Sequence, residues 1–175
     1  MTIALRRATS DDAAIVAALH ADSWRRHYRG AYSDAYLDGD VESERRAVWT
    51  ARFADRDART YTVIAEVDGS PVGFAHTIFD SDEEWGSLVD NLHVSSTAQR
   101  RGLGAQLMGA SAEAVLREAA SPGLFLWVLE MNASAQAFYE ARGGTRVESR
   151  VANSPAGDAL TAFRYVWKDA AALVL

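Results

Sequence analysis

The sequence predicts an α/β protein of the α+β kind, a mixed sheet flanked by helices with one βαβ crossover near its middle. Three observations predict it. Two helical patterns precede any strong strand, between residues 10 and 54. From residue 60 the apolar spacing changes to a period of two. After residue 94 helices and strands alternate, which is how a parallel pair is connected. The 175 residues suit a single domain, 1–175, with a core that needs no staples.

The elements follow in order. "TIALRRA" is a short alternating strand. Ser10, Asp11 and Asp12 supply cap chemistry for a first helix. Its apolar side runs through Ile15, Leu19 and Trp24, and it ends near Tyr28–Gly30. "SDAYLDGD" reads as a turn, and "VESERRAVWTARFA" as a second helix with Val41, Val48, Trp49 and Phe53 on its apolar side. "TYTVIAEV", "DGS" and "PVGFAHTIF" form a hairpin, because β-branched and aromatic runs flank an Asp-Gly turn. The acidic loop "DSDEEWG" leads into the strand "SLVDNLHV".

"QRRGLGAQLMGASAEAVLREAA" is a third helix with Leu103, Leu107, Ala110, Ala114 and Val115 toward one side, stopped by "SPG". "LFLWVLE" is an apolar strand of the kind buried on both faces. "ASAQAFYEAR" is a short helix that Gly143 and Gly144 terminate. "TRVESRV", the loop "ANSPAGD" and "ALTAFRYVW" close the chain as a hairpin. The resulting order is β-α-α-β-β-β-α-β-α-β-β.

Composition narrows the function. Without cysteine there are no disulfides or thiolate metal sites, and no metal is expected. A reducing, cytoplasmic setting suits such a chain. "MTIALRRATSDD" lacks the apolar core of a signal peptide, and no apolar run reaches the ~18 residues of a membrane span. A net charge of -6 argues against non-specific nucleic-acid binding and suits a cationic or neutral small partner.

The chemistry gathers at "HVSSTAQRRGLGAQLM". A strand that feeds a glycine turn into a helix points unpaired N–H groups at one spot, and the helix dipole adds partial positive charge. Such a turn holds an anion, and Gly102 and Gly104 let it approach the backbone. Arg100 and Arg101 add charge, or serve only as solvated arginines at an ordinary helix start.

The run Gln99-Arg100-Arg101-Gly102-Leu103-Gly104 resembles the Q/R-x-x-G-x-G/A motif of the GCN5-related N-acetyltransferases, and "LEMNASAQAFYEARGG" is similar to that family's next strand and helix. The resemblance is strongest over Leu88–Gly144 and consistent in element order outside it. It implies a mostly antiparallel sheet splayed between two central parallel strands, here 87–94 and 124–130, with acetyl-CoA bound in the splay. By resemblance, Leu92, His93 and Val94 pair with the pantetheine arm. Gln99, Arg100, Arg101, Gly102, Leu103, Gly104 and Ala105 hold the pyrophosphate. Asn132 and Tyr139 lie near the pantetheine and sulfur, and Ala135 and Phe138 complete the cofactor-binding set.

The implied reaction is attack of an amine on the thioester, with Tyr139 either protonating the leaving thiolate or only packing on the core beside Phe138. Asp90 is the expected base, on the strand face that holds Leu88 and Leu92. His93 has the better ordinary pKa, but simple alternation puts it on the opposite face. Glu84 and Glu130 are further candidates, and ordered water can relay the proton. Trp24, Tyr28, Tyr32 and Glu84 are expected to wall the acceptor site, although aromatics at helical spacing also build cores and charge runs are commonly solvated loops. The acceptor is a small-molecule amine or a peptide amine, with no nucleic acid and no membrane as partner. A homodimer is one assembly this reading allows, and a non-catalytic CoA-binding module is the competing class. Two departures stand out: Gly143-Gly144-Thr145 where many relatives place an aromatic after glycine, and Ser95-Ser96 where many place a proline.

Overall fold

The computed structural model describes residues 1–30, 32–153 and 159–175. Most of the loop expected at 152–158 therefore lies outside the described residues. Strands β1 (Ile3–Arg7), β2 (Thr60–Val67), β3 (Ser70–Asp82), β4 (Gly86–Val94), β5 (Leu124–Leu129), β6 (Thr145–Asn153) and β7 (Ala159–Trp167) form one sheet, ordered β1-β2-β3-β4-β5-β7-β6. Every pairing is antiparallel except β4 with β5.

Period-two alternation along the strands separates two apolar layers. Ile64 and Phe74 are opposite one another and pack against helices α1 (Ala13–His27) and α3 (Val41–Ala54), around Trp49. Val63, Ala65 and Ala75 point the other way, toward Leu103 and Leu107 of α4 (Leu103–Glu118). Leu124, Leu126 and Val128 continue that second layer and meet Tyr139 of α5 (Ala133–Ala141) with Tyr165 and Trp167. A side chain such as Leu107, fully buried here, contributes about 1.5–3 kcal/mol by leaving water.

Several elements differ from the sequence reading for local reasons. Thr9, ahead of Ser10, opens the first helical region: its N–H donates to Asp12 Oδ2 at 2.8 Å, and Arg6 grips the same carboxylate through two nitrogens. The buried stripe of α1 is Val16, Ala17, His20 and Ala21, while Ile15 and Leu19 are half-buried. The expected turn at 33–40 contains a short helix, α2 (Asp34–Asp38), whose Ser33 hydroxyl accepts from the Tyr36 N–H. Strand β3 runs on to Asp82, through part of the expected acidic loop. Helix α4 begins at Leu103, because Arg100 and Gly102 are left-handed. A C-terminal 3₁₀ turn, Ala170–Leu173, lays Leu173 against Gly109 of α4.

The sheet is split. Strands β4 and β5 pair only at Ser87 with Leu124 and Leu88 with Phe125, then part. Gly86 holds the closed end at φ +84, where a Cβ would sit 2.3 Å from the Gly123 carbonyl oxygen. The Ser87 N–H donates to that same oxygen at 2.9 Å.

Candidate active site

Beyond Leu88 and Phe125, the facing edges of β4 and β5 have no partner strand among the described residues. A cleft of about 730 Å³ passes through this opening. On one side of the sheet it reaches Gln99, Arg100 and Gly102 through Ala105; on the other it reaches the C-terminal half of α1.

The glycine turn has the geometry of an anion seat. Positive φ at Arg100 (62°) and Gly102 (75°) rotates successive N–H groups toward one spot. From Arg100 to Ala105 no backbone N–H donates to a protein acceptor among the described residues; the first helical bond runs from Gln106 to Gly102. Gln99 closes the turn by donating from Nε2 to the Val94 carbonyl at 3.2 Å. The two glycines divide the work differently from the expectation. Gly102 faces open space and is required by its left-handed backbone, whereas a Cβ on Gly104 would meet Phe138 at 3.3 Å. Gly104 thus seats the Phe138 ring beside the cleft.

Helix α5 supplies the opposite wall. Asn132 caps it, its Oδ1 accepting from the Ala135 N–H at 3.2 Å, and Asn132, Ala135, Phe138 and Tyr139 all line the cleft. Tyr139 packs by its ring on Phe138 and Trp167, with Tyr165 behind. Burial alone pushes its phenol well above the usual value, so the hydroxyl keeps its proton at any working pH. Behind α5, Gly144 lies where an aromatic was the familiar pattern; Trp167 fills that space, 2.7 Å from where a Gly144 Cβ would be.

On the α1 side a β-bulge changes which residues face the cleft. The pairing of β4 with β3 steps from Thr77–Val89 to His76–Asn91 and leaves Asp90 as the extra residue. Alternation therefore breaks. Asp90, Asn91 and His93 all reach toward the α1–α3 layer, while Leu92 packs with the α4 layer. This corrects the expectation that His93 faces away from Asp90. Asp90 binds Arg52 Nη1 at 3.0 Å. His93 is buried, and its Nε2 lies 3.0 Å from Asp22 Oδ2. Burial lowers the His93 pKa more than Asp22 raises it, so the ring is neutral near pH 7 and donates Nε2–H to the carboxylate. Trp49 donates to Nδ1 of His20 at 3.0 Å, and burial with the Arg45 and Arg52 charges pushes His20 down to about 3.

Trp24, Tyr28, Asp90, Leu92, His93 and Val94 all line the cleft. Three expected side chains do not. Tyr32 stacks on Trp24 from outside, at 5.4 Å between ring centroids. Glu84 is exposed on the β3–β4 turn, by the closed end of the split. Arg101 turns toward Met1, leaving only its N–H in the turn. Of the acidic loop, Asp80 is held by Arg59 and the Ala120 N–H, and Asp82 by Arg164 and two backbone N–H groups.

Sequence reasoning passed over His20, Asp22, Ser23, His27, Trp127, Arg142 and Arg150. The α1 residues had a signal: His20, Ser23, Trp24, His27 and Tyr28 recur at i, i+3, i+4, i+7 and i+8, a stripe that turns polar and aromatic where the first half of the helix buries alanine and valine. Among the described residues no three His, Asp or Glu side chains form a metal site, and no helix is long and apolar enough to cross a membrane.

Comparison with known proteins agrees with this geometry. The profile of the Acetyltransferase (GNAT) family matches residues 21–144, from within α1 to the turn after α5. "Uncharacterized N-acetyltransferase YuaI" of Bacillus subtilis (strain 168) is 29% identical over 147 residues, 83% of this chain and 82% of its own. "Probable N-acetyltransferase Rv2775" of Mycobacterium tuberculosis (strain ATCC 25618 / H37Rv) is 30% identical over 145 residues, 80% of this chain and 78% of its own. The structure of YncA from Salmonella typhimurium with its cofactor acetyl-CoA has the same fold, at a TM-score of 0.69 and 17% identity over 95% of this chain and 94% of that one. The split sheet, the glycine turn and a family match that spans both place the chain in the acetyltransferase (GNAT) family, to which it belongs.

Proposed function

We propose that the protein transfers the acetyl group of acetyl-CoA to an amine that enters the cleft from the α1 side. One observation carries the reading: the free N–H groups from Arg100 to Ala105 open onto a split whose strand edges are also unpaired. A diphosphate suits the first, since a helix start with free N–H groups attracts anions. An amide-bearing arm suits the second, since it bonds to an open strand edge as an added strand does. YncA, crystallised with acetyl-CoA, supports the same donor.

In this reading Tyr139 and Asn132 flank the donor sulfur, and Asp90 and His93 face the acceptor. The amine nitrogen bonds to the thioester carbon and the carbon–sulfur bond breaks. His93, with Nε2–H committed to Asp22, offers Nδ1 to the amine's proton. Asp90 draws in the ammonium form, which gives one proton to His93 before attack; Tyr139 gives its phenolic proton to the thiolate and regains one through solvent from the acylated nitrogen, which loses its second proton as the amide forms. Tyr32 and Glu84 lie farther out and belong to the approach.

The test is acetyl-CoA with a panel of small amines and peptides, scored by release of free thiol and by mass of the product. Amide formation matched one-to-one by thiol release is the expected result. A folded protein to which neither CoA nor acetyl-CoA binds in calorimetry would refute the donor assignment.

A further inference from the structure

The acceptor half of the cleft presents two ionised side chains at its lining, Asp90 on β4 and Arg150 on β6. The other lining arginines, Arg100 and Arg142, belong to the glycine turn and to the end of α5. Arg150 sits opposite Ala162 in the β6–β7 register, and its guanidinium carbon lies 4.0 Å from the centroid of the Trp127 ring. Such stacking holds a planar guanidinium flat with its N–H edge free.

The nearby carboxylates are engaged elsewhere. Asp90 holds Arg52 at 3.0 Å, and Arg164 takes both Asp82 at 3.0 Å and Glu148 at 2.7 Å. Arg150 has no ion-pair partner among the described residues. Its side chain is exposed to the cleft, where partial desolvation and the charge of Arg164 lower its pKa against the pull of Asp90 and Glu148. The local balance thus differs from the net -6 of the whole chain. A polyamine would bring a further cation against Arg150, and a dianionic phosphate would find one uncompensated charge there. One carboxylate matches it.

We infer that the acceptor is an amine that also carries a carboxylate, an amino acid or a similar zwitterion, whose carboxylate is held by Arg150 braced on Trp127 while its amino group faces Asp90 and His93. This inference rests on the acetyl-transfer reading above. Arg150 acts on the acceptor alone, so its removal is read in kcat/KM and in acceptor binding.

The experiment sets amino acids against the amines left by removing their carboxylates, phenylalanine against 2-phenylethylamine first. Wild-type kcat/KM is expected to favour the amino acids by tenfold or more. A hydrogen-bonded charge pair supports a loss of roughly tenfold to a hundredfold when the guanidinium is removed. Arg150→Gln should lower kcat/KM for the amino acids by that much and take the preference ratio toward one. Arg150→Lys, which keeps the charge without the fork, should fall between the two. Calorimetry with CoA-loaded protein, amino acid against decarboxylated amine, gives the same comparison without turnover. Amines acetylated as well as amino acids, or a preference that Arg150→Gln leaves intact, overturn the inference while acetyl transfer stands. Arg150-dependent binding of amino acids with no turnover of any acceptor would leave the carboxylate subsite and remove the transfer reading.

Discussion

Replacing Tyr139 with phenylalanine separates chemistry from packing. The ring lies among Phe138, Tyr165 and Trp167, with centroids 5.4–6.1 Å away, and those contacts survive the change. The hydroxyl donates to no protein atom among the described residues, so its loss orphans nothing. Stability should hold within about 1 kcal/mol, a Tm change of roughly 2–4 °C for a chain of this length. General acid catalysis contributes typically ~10²–10⁴-fold. A loss of ~10²–10³-fold in kcat corresponds to about 2.7–4 kcal/mol of transition-state stabilisation.

The pH dependence has a definite sign. Burial raises the phenol's pKa, so the proton-donating form persists above its ordinary titration range. Phenol ionisation therefore adds no basic limb to the wild-type profile below about pH 10, the ordinary tyrosine value. The assay is single-turnover thiol release across pH, which isolates the chemical step, with CoA affinity measured beside it. A Tyr139→Phe protein that keeps its single-turnover rate within about twofold would show that solvent protonates the thiolate and that the tyrosine serves packing.

Three further changes test other parts of the site and fold. Gly104→Val places side-chain atoms against Phe138, 3.3 Å from the ideal Cβ, and overpacking of this kind costs about 1–3 kcal/mol; calorimetry should show CoA bound roughly tenfold to a hundredfold more weakly, and unchanged affinity would remove Gly104 from the donor site. His93→Gln should lower kcat by about a hundredfold or more, and Asp22→Asn should move the acid limb of the pH–rate profile to lower pH, because the Asp22 bond raises the imidazole pKa; a limb that stays in place assigns the base elsewhere. Arg6 holds the Asp12 carboxyl down at about 2 against an ordinary 3.8, so its stabilisation is present above pH 4 and lost as pH falls through 2; Asp12→Asn should cost on the order of 2 kcal/mol at neutral pH and flatten the acid arm of a Tm–pH curve between pH 4 and 2.

The fold was legible where its signals are local. The bounds 41–54 and 60–67 follow from sequence because punctuation is local there, as in the Asp68-Gly69 turn with both residues at positive φ. Helix α2 was not legible, since five residues show no helical period. The length of β3 was masked by its acidic end, which reads as loop. Asp80 and Asp82 are tolerated there because Arg59, Arg164 and backbone N–H groups satisfy them, partners that come from distant sequence. The insertion of β7 between β5 and β6 is likewise a choice of pairing that strand composition does not encode.

The candidate site divides along the same line. The anion seat of its donor half is one continuous stretch, residues 99–105, and a seat made of backbone N–H groups is written in the glycines and the helix start that follow a strand. Its acceptor half is assembled from α1, β4, β5 and β6, and each of its side chains gains meaning from a neighbour far away in sequence. His93 is the sharpest instance. Strict alternation along β4 turns it away from Asp90, and that inference holds for any regular strand. The single extra residue at Asp90 reverses it, because a bulge shifts every later side chain to the other face. The bulge leaves no composition signal, since Val-Asp-Asn-Leu fits a flat strand equally well. What it yields is a β4 whose Leu92 turns to the α4 layer while Asp90 and His93 both reach toward α1 and α3, with the edge facing β5 left open. On the acetyl-transfer proposal, the proton acceptor and the open strand edge would thus come from the same few residues, with no additional loop needed to carry the base.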